Sequence, residues 1–429
     1  MIFVPTAHKP VKILISAIVL GMIGIKALFE GRLFLHRSIC LWTLLMVCTG
    51  LVFMMVGISN DTPGAMRVGT VYVLSPLVFT VFVAGIANVR VVERLFKVMV
   101  AGTLAIELYA VNYLLHAIGW LPYSFHVELF KEERVGSYSY EGLYKGTFGY
   151  YLPSIASLIF LVPFTISALL TWPKQSKTPV RPLWLWGALA LGLALTLLSG
   201  RRSLLVAVGI SPIIVLMCRM LLPGKGYVLS RTGVVCGVAG IAFLVGSIFV
   251  SLRILLGIDV QAMFEYFMKG FEFMTDSSAY ARREQFLALL EGWAASPLVG
   301  AGHGAVAGDV VRSLDMPWSY ELTYLALLFH TGLIGFGLYS AAVLWVVWEA
   351  VRVIRAGGRL AAYTISALVG MICFLIANGT NPYLEKYDFL WMIFLPIALI
   401  NLWRMRQAQT SVGVLNSDGS AHWQVQQRR

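Results

Sequence analysis

Long apolar runs separated by short polar connections occupy most of this 429-residue chain. About eleven of the runs are long enough to form helices that cross a hydrocarbon core of roughly 30 Å. The pattern predicts an all-α polytopic membrane protein with about 11–12 transmembrane helices, the twelfth being a further N-terminal segment. The predicted spans are 12–29, 38–58, 68–88, 97–119, 147–172, 183–199, 203–222, 232–252, 322–349, 360–379 and 387–403.

One polar stretch, 253–321, is far longer than the other connections between spans. It contains the amphipathic segment 262–271, so we expect it to fold as helices lying across one membrane surface. The tail 407–429 is rich in Ser, Gly, Asn and Gln, which predicts a disordered cytoplasmic segment. Transmembrane helices are expected before the long loop, over 1–252, and after it, over 322–406.

The composition supports a membrane protein and argues against several other classes. Hydrophobic residues make up 59% of the chain and charged residues 13%, and a soluble protein of this length cannot bury so much apolar surface. The five cysteines fall in apolar runs without CxxC spacing, so neither a disulfide framework nor a metal site is expected. No cofactor is indicated.

The net charge of +12 reflects membrane topology rather than nucleic-acid binding, because the basic residues lie mostly in alternate short connections. Those connections, which include Arg90 and Arg94, are predicted to be cytoplasmic. The segment 120–146, the Arg201-Arg202 pair and the long loop then lie on the outer face. The N-terminus is placed outside as well, although nearby lysines argue against that location.

Two adjacent arginines, Arg201 and Arg202, follow a Ser199-Gly200 break at the predicted outer start of a span. The unpaired N–H groups of a helix N-terminus already favour an anion, and guanidinium groups there would form a phosphate or diphosphate clamp. Arginine at the end of a span also snorkels to the membrane surface, and the sequence leaves that alternative open.

The segment 276–296 predicts a helix within the long loop. Arg282 is expected on its inward side, whereas Arg283 is rotated by about 100° toward solvent. An ion pair of Arg282 with Glu284 or Glu291 is as consistent with the spacing as substrate binding is. The predicted apolar face consists of Phe286, Leu289, Leu290 and Trp293.

A glycine-rich turn ends that helix and contains Gly300, Gly302 and His303. It is not a dinucleotide or Walker motif, because no strand precedes it and no Gly-Lys-Ser/Thr follows. His303 is predicted to be a turn residue that is exposed enough to touch a substrate.

Glu321 and His330 mark the start of the span that follows the long loop. Nine residues on a helix correspond to about 900°, so the two side chains are expected to face opposite ways. Glu321 is either a surface charge at the outer interface or a reactive carboxylate, and His330 is predicted to pack between helices. The later turn around Asn381 and Glu385 is interpreted as structural.

Taken in order, these segments resemble the superfamily of O-antigen ligases and O-antigen polymerases, which are bacterial envelope glycosyltransferases. The resemblance covers about 183–345 and rests on the 199–203 helix start, the Arg282 helix with its 297–302 turn, and the segment 331–335. It implies metal-independent transfer of a glycan from an undecaprenyl-diphosphate carrier to an acceptor hydroxyl, on the periplasmic face of the inner membrane.

The resemblance also implies roles for individual residues. The family arginines that bind the diphosphate match Arg202, with Arg201 adjacent, and Arg282. Ligases of the family carry a His where Glu321 stands, so Glu321 is the expected base and His330 the alternative. A carboxylate accepts a proton as an imidazole does. This departure favours a polymerase of O-antigen or exopolysaccharide type over a ligase acting on lipid A-core.

The implied partners are an undecaprenyl-diphosphate-linked glycan donor, a glycan or lipid A-core acceptor, and membrane lipid, but no nucleic acid. A flippase or transporter of lipid-linked oligosaccharides is the alternative from another class. It would need charges and broken helices near the bilayer midplane, whereas these charges concentrate at the predicted outer interface. A cell-shape peptidoglycan polymerase fits less well, because its outer-loop Asp motif is not recognisable.

Overall fold

A computed structural model of the chain describes residues 9–31, 33–117, 119–123, 153–172, 178–222, 230–256, 261, 265, 268, 277–311 and 314–417. These residues form helices joined by turns and contain no strand. The helices are α1 (Lys9–Glu30), α2 (Arg37–Ser59), α3 (Ala65–Gly85), α4 (Val89–Ala117), α5 (Leu158–Thr171), α6 (Pro182–Leu198), α7 (Arg202–Met220), α8 (Arg231–Leu256), α9 (Ser277–Ala295), α10 (Thr323–Ala356), α11 (Gly358–Asn378) and α12 (Trp391–Ser417).

Each predicted span overlaps one helix, and α9 lies within the long loop. Among the described residues, eight helices are long and apolar enough to cross a membrane, and α5 and α6 are shorter apolar helices. The last predicted span forms the first part of α12. The chain is therefore an all-α, multi-pass membrane protein.

Two helices, α5 and α11, form the centre of the bundle. Nearly every residue of α5 is buried, and 83% of the apolar window of α11 lies inside the protein. A helix that is apolar on all sides is stable only where other helices or lipid surround it. Gly370 allows the close approach, since a Cβ there would meet the Phe160 ring at 2.8 Å.

Successive connections between helices lie at alternating ends of the bundle, as the charge pattern predicts. At one end, Gly64 N–H donates to Gly304 O (3.1 Å), so the α2–α3 turn contacts the segment that follows α9. Lys12 pairs with Asp388 (3.2 Å), which places the start of α1 at this same end. We call it the long-loop end. At the other end, Arg359 at the start of α11 pairs with Glu93 of α4 (3.1 Å).

The prediction of a disordered tail is wrong for the first residues of the tail. Helix α12 continues to Ser417, past the expected boundary at 406. Gln and Ala, which open this stretch, have high helix propensity and extend the preceding apolar span. The expectations for 418–429 and for most of 120–146 and 262–271 fall outside the described residues.

Two buried glutamates are expected to differ in how much stability is lost when each is replaced by glutamine. Glu349 of α10 accepts hydrogen bonds from Arg404 (2.6 Å and 2.9 Å) and Arg352 (2.9 Å). Glu349→Gln leaves those arginines without a counter-charge, and we expect it to lower the free energy of unfolding by about 3 kcal/mol. Glu107 of α4 is fully buried and has no ion-pair partner among the described residues.

Glu107→Gln is therefore the matched control, with an expected change below about 1 kcal/mol, because it leaves no charge unpaired. Thermal unfolding of the purified protein in detergent measures both variants. Equal losses of stability would contradict the interpretation of Glu349 as an ion-paired residue.

Candidate functional site

An ion pair joins α9 to the start of α10 at the long-loop end. The Nε–H group of Arg282 donates to Oε2 of Glu321 across 2.8 Å, and the two side chains are 27% and 20% exposed. The pair is therefore half-enclosed rather than fully solvated. The structure joins Arg282 to Glu321 and not to Glu284 or Glu291, the partners that spacing alone permits.

The inward face of α9 differs from the predicted apolar face. Gln285 and Leu289 are buried, while Phe286 is 46% exposed and Leu290 is 38% exposed. A tertiary hydrogen bond accounts for the difference, because the side-chain oxygen of Gln285 accepts from the backbone N–H of Glu321 (2.9 Å). Arg282 shares this inward side, and Arg283 is exposed as predicted.

Two hydrogen bonds connect the start of α10 to the start of α7. Thr323, two residues after Glu321, donates its hydroxyl to Asn381 O (2.9 Å). Asn381 in turn donates from its side chain to Oγ of Ser203 (3.1 Å). Arg202 is the first residue of α7, so it lies at the same end of the bundle as the Arg282–Glu321 pair.

Arg201 is the N-cap of α7, and its backbone N–H donates to Oγ of Ser199 (3.2 Å). Gly200 has φ = 60°, which lets the chain reverse between α6 and α7. Both arginine side chains are partly exposed. The helix N-terminus on which the predicted phosphate clamp depends is therefore present, with one arginine at its N-cap and the other at its first position.

Helix α10 is broken at Gly332 (φ 58°, ψ −171°), and the glycine-rich turn fills the break. In an unbroken helix, Leu333 N–H would donate to Phe329 O and Ile334 N–H would donate to His330 O. Both of these bonds are missing. Leu333 and Ile334 donate instead to Pro297 O and Leu298 O, and Ala301 and Gly302 donate to Phe329 O and His330 O. The turn thus replaces both missing donors and both missing acceptors.

Close backbone contacts explain the glycines of this turn. Gly300, Gly302 and Gly304 all have positive φ, and a Cβ on Gly302 would lie 2.2 Å from the backbone N of Gly57. A Cβ on Gly304 would lie 2.0 Å from the backbone of Gly64. The glycines therefore allow the backbone of the turn to contact the α2–α3 connection and the broken helix directly.

The prediction that His303 is exposed is wrong, since its exposure is 0%. Its ring stacks on Tyr72 (4.7 Å between centroids), and Nε2 lies 3.2 Å from the hydroxyl of Tyr339. Burial, together with the neighbouring His330, lowers the pKa of His303 well below its usual value. His303 therefore packs the turn onto the helices and does not face a substrate.

His330 is buried as predicted, with an exposure of 1%. Its Nε2 lies 3.0 Å from Ala305 O, and the ring meets His303 edge to face. This position favours a packing role over a chemical one.

Glu385 is a carboxyl of this end that the sequence interpretation assigned to a structural turn. It is partly exposed and lies in the turn between α11 and α12. Desolvation raises the pKa of Glu385 to about 8, against the opposing effects of Ser319 and the charge of Lys386. The only sequence signal was an acidic residue in a turn at the predicted outer face.

No protein-family model matches this chain, and no curated protein matches it.

Proposed function

We propose that this protein is a glycosyltransferase of the bacterial inner membrane. It moves a glycan from an undecaprenyl-diphosphate carrier to an acceptor hydroxyl on the periplasmic face, as a polymerase of O-antigen or exopolysaccharide does. Attachment of the glycan to lipid A-core, as by a ligase, is the alternative acceptor chemistry. The observation that carries the proposal is the half-enclosed Arg282–Glu321 pair at the same end of the bundle as the arginine-bearing start of α7.

The pair suits the transfer because each member serves a different reactant. Within the described residues, Arg282 hydrogen bonds only through Nε, so its terminal nitrogens keep their donors for phosphate oxygens. Glu321 orients that guanidinium and supplies a carboxylate for the proton of the acceptor hydroxyl. General-base catalysis of this kind contributes about 10²–10⁴-fold.

Charge neutralisation of the leaving diphosphate is the second requirement. Arg282 provides one guanidinium, and Arg202 and Arg201 provide two more at a helix N-terminus. Donors already fixed in place stabilise a developing anion without reorganisation. The three arginines therefore supply positive charge where the carbon–oxygen bond to the diphosphate breaks.

A flippase would favour broken helices with unpaired backbone near the midplane. The break in α10 does not have that form, because its two carbonyls and two N–H groups all bond to the glycine-rich turn. Leu333 to Ala356 could cross the membrane without the preceding segment, since 24 residues at about 1.5 Å each extend roughly 36 Å.

Arg282→Lys is expected to weaken binding of undecaprenyl diphosphate to the purified protein by about 10- to 100-fold. A lysine keeps the charge but loses the planar fork, and a charge-assisted hydrogen bond is worth about 1.5–3 kcal/mol. Arg283→Lys, one residue away on the exposed side of α9, should bind as the wild type does. Native mass spectrometry in detergent measures both, and equal affinities for the two variants would remove Arg282 from the site.

A further inference from the structure

An exposed apolar surface follows the second half of α9 and the start of the glycine-rich turn. Leu290 and Ala294 lie on one exposed side of the helix, four residues apart. Leu298 is 59% exposed, and Val299 beside it is exposed as well. The segment 292–308 contains no Asp, Glu, Lys or Arg, although it belongs to the polar loop. Apolar side chains exposed together in this way indicate a contact surface.

Backbone hydrogen bonds join this surface to the exposed side of α10. Ile334 N–H donates to Leu298 O (3.1 Å). Leu333 N–H donates to Pro297 O (2.9 Å). Leu333 and Ile334 are exposed, as is Leu344 farther along this membrane-crossing helix. The exposed apolar side of a spanning helix contacts lipid. The surface of the turn is therefore continuous with a lipid-facing surface.

The depth of Ile334 in the membrane follows from the other end of α10. Ile334 lies fourteen residues before the exposed Trp348 and eighteen before Arg352. Side chains of these two types mark the edge of the hydrocarbon core. At about 1.5 Å per residue, Ile334 is roughly 21–27 Å from that edge. Because the core is about 30 Å thick, Leu298, which is bonded to Ile334, lies about 3–9 Å inside it.

Helix α9 runs in the same direction as the first segment of α10, to which it is packed. Near the start of α9, the side-chain oxygen of Gln285 accepts from Glu321 N–H (2.9 Å). Two turns later, a Cβ on Gly292 would lie 2.6 Å from the ring of Phe329. The turn that follows α9 meets the break in α10. The C-terminal end of α9 is therefore its deepest part.

The charges and the backbone of this segment both suit a hydrocarbon environment. The last charged residue before the turn is Glu291, seven residues or about 10 Å of helix before Leu298, which places it outside the core. Irregular backbone is stable at membrane depth only where its polar groups bond within the protein. The turn provides such bonds to the broken helix from the carbonyls of Pro297 and Leu298 and the N–H groups of Ala301 and Gly302.

We propose that residues 297–299 and the adjoining exposed side of α9 insert into the lipid leaflet at the long-loop end. The acyl chains of that leaflet cover Leu290 and Leu298, so α9 enters the membrane surface rather than lying flat across it. Arg282 and Glu321 stay outside the hydrocarbon core. The insertion thus anchors the loop without burying the ion pair, and it does not depend on the proposed function.

Collisions of nitroxide labels with oxygen and with a water-soluble nickel complex test the insertion. Labels are attached after Leu298→Cys, Leu314→Cys or Leu344→Cys in the full chain with its five native cysteines replaced, in liposomes of phosphatidylethanolamine and phosphatidylglycerol. Leu314 is the matched control, since it is 94% exposed in the same loop, and Leu344 is the lipid-facing reference. The label at 298 should collide mainly with oxygen, as the label at 344 does, whereas the label at 314 should collide mainly with the nickel complex.

Two results at position 298 would overturn the insertion. Frequent collision with the nickel complex would place Leu298 in water. Protection from both reagents would show that protein, not lipid, covers it.

A charged substitution tests the same surface in the chain with its native cysteines. Leu298→Asp should lower the unfolding temperature in lipid nanodiscs by about 5 °C or more, because a carboxylate inside the hydrocarbon core is costly. Leu314→Asp should leave that temperature nearly unchanged, as substitutions at water-exposed positions do. Equal unfolding temperatures for the two variants would contradict the insertion.

Discussion

Replacing Glu321 by glutamine is expected to slow glycan transfer by about 10²-fold or more while leaving the protein folded. The side-chain oxygen of glutamine can still accept the hydrogen bond from Arg282, and the backbone bond from Glu321 N–H to Gln285 is untouched. The substitution therefore removes the proposed base and keeps these two hydrogen bonds. Undecaprenyl diphosphate binding should survive, so the loss should appear in turnover rather than in donor affinity.

His330→Ala is the contrasting variant for this prediction. It deletes a buried ring that contacts Ala305 O and His303, so it should reduce stability and leave transfer per folded molecule largely intact. Because an imidazole accepts a proton as a carboxylate does, Glu321→His should retain partial activity. Full activity in Glu321→Gln beside an inactive but folded His330→Ala would transfer the role of base to His330.

Gly302→Ala is expected to destabilise the protein by about 4 kcal/mol, combining backbone strain and overpacking. Gly302 has φ = 92°, and its added Cβ would lie 2.2 Å from the backbone N of Gly57. The turn would have to leave the break in α10, exposing the carbonyls of Phe329 and His330 that it now satisfies. Thermal unfolding in detergent measures the loss.

Two alanine substitutions separate these contributions. Gly308 has φ = 55° with no atom within 4 Å of a built Cβ, so Gly308→Ala carries only the backbone strain, about 1 kcal/mol. Gly337 is helical with equally open surroundings, so Gly337→Ala should change stability little or raise it slightly. Equal losses in Gly302→Ala and Gly308→Ala would contradict the account of the close contact.

The helical spans were predictable because an apolar run must be long enough, as a helix, to cross the hydrocarbon core, and this length can be read from the sequence. The break in α10 was not predictable, since the run over 322–349 contains no proline and Gly332 resembles any small residue of a membrane helix. Its cause is the distant turn that supplies the replacement hydrogen bonds. Tertiary contacts of this kind leave no local periodic signal.

In the candidate site, too, some features follow from the local sequence and others depend on tertiary contacts. The helix start at Arg202, the loop helix and the exposed side of Arg283 follow from caps and spacing. The inward position of Gln285 does not, because an amide on an otherwise apolar face is stable only through its bond to Glu321 N–H.

The most direct test of the proposed transfer is turnover by the purified protein in detergent, with lipid-linked glycan extracted from source bacteria lacking the gene. Release of undecaprenyl diphosphate and lengthening of the glycan should occur together, with no sealed membrane, and Arg282→Lys should strongly reduce both. Movement of the lipid-linked glycan across sealed vesicles, with no release of diphosphate in detergent, would contradict the account and identify a flippase.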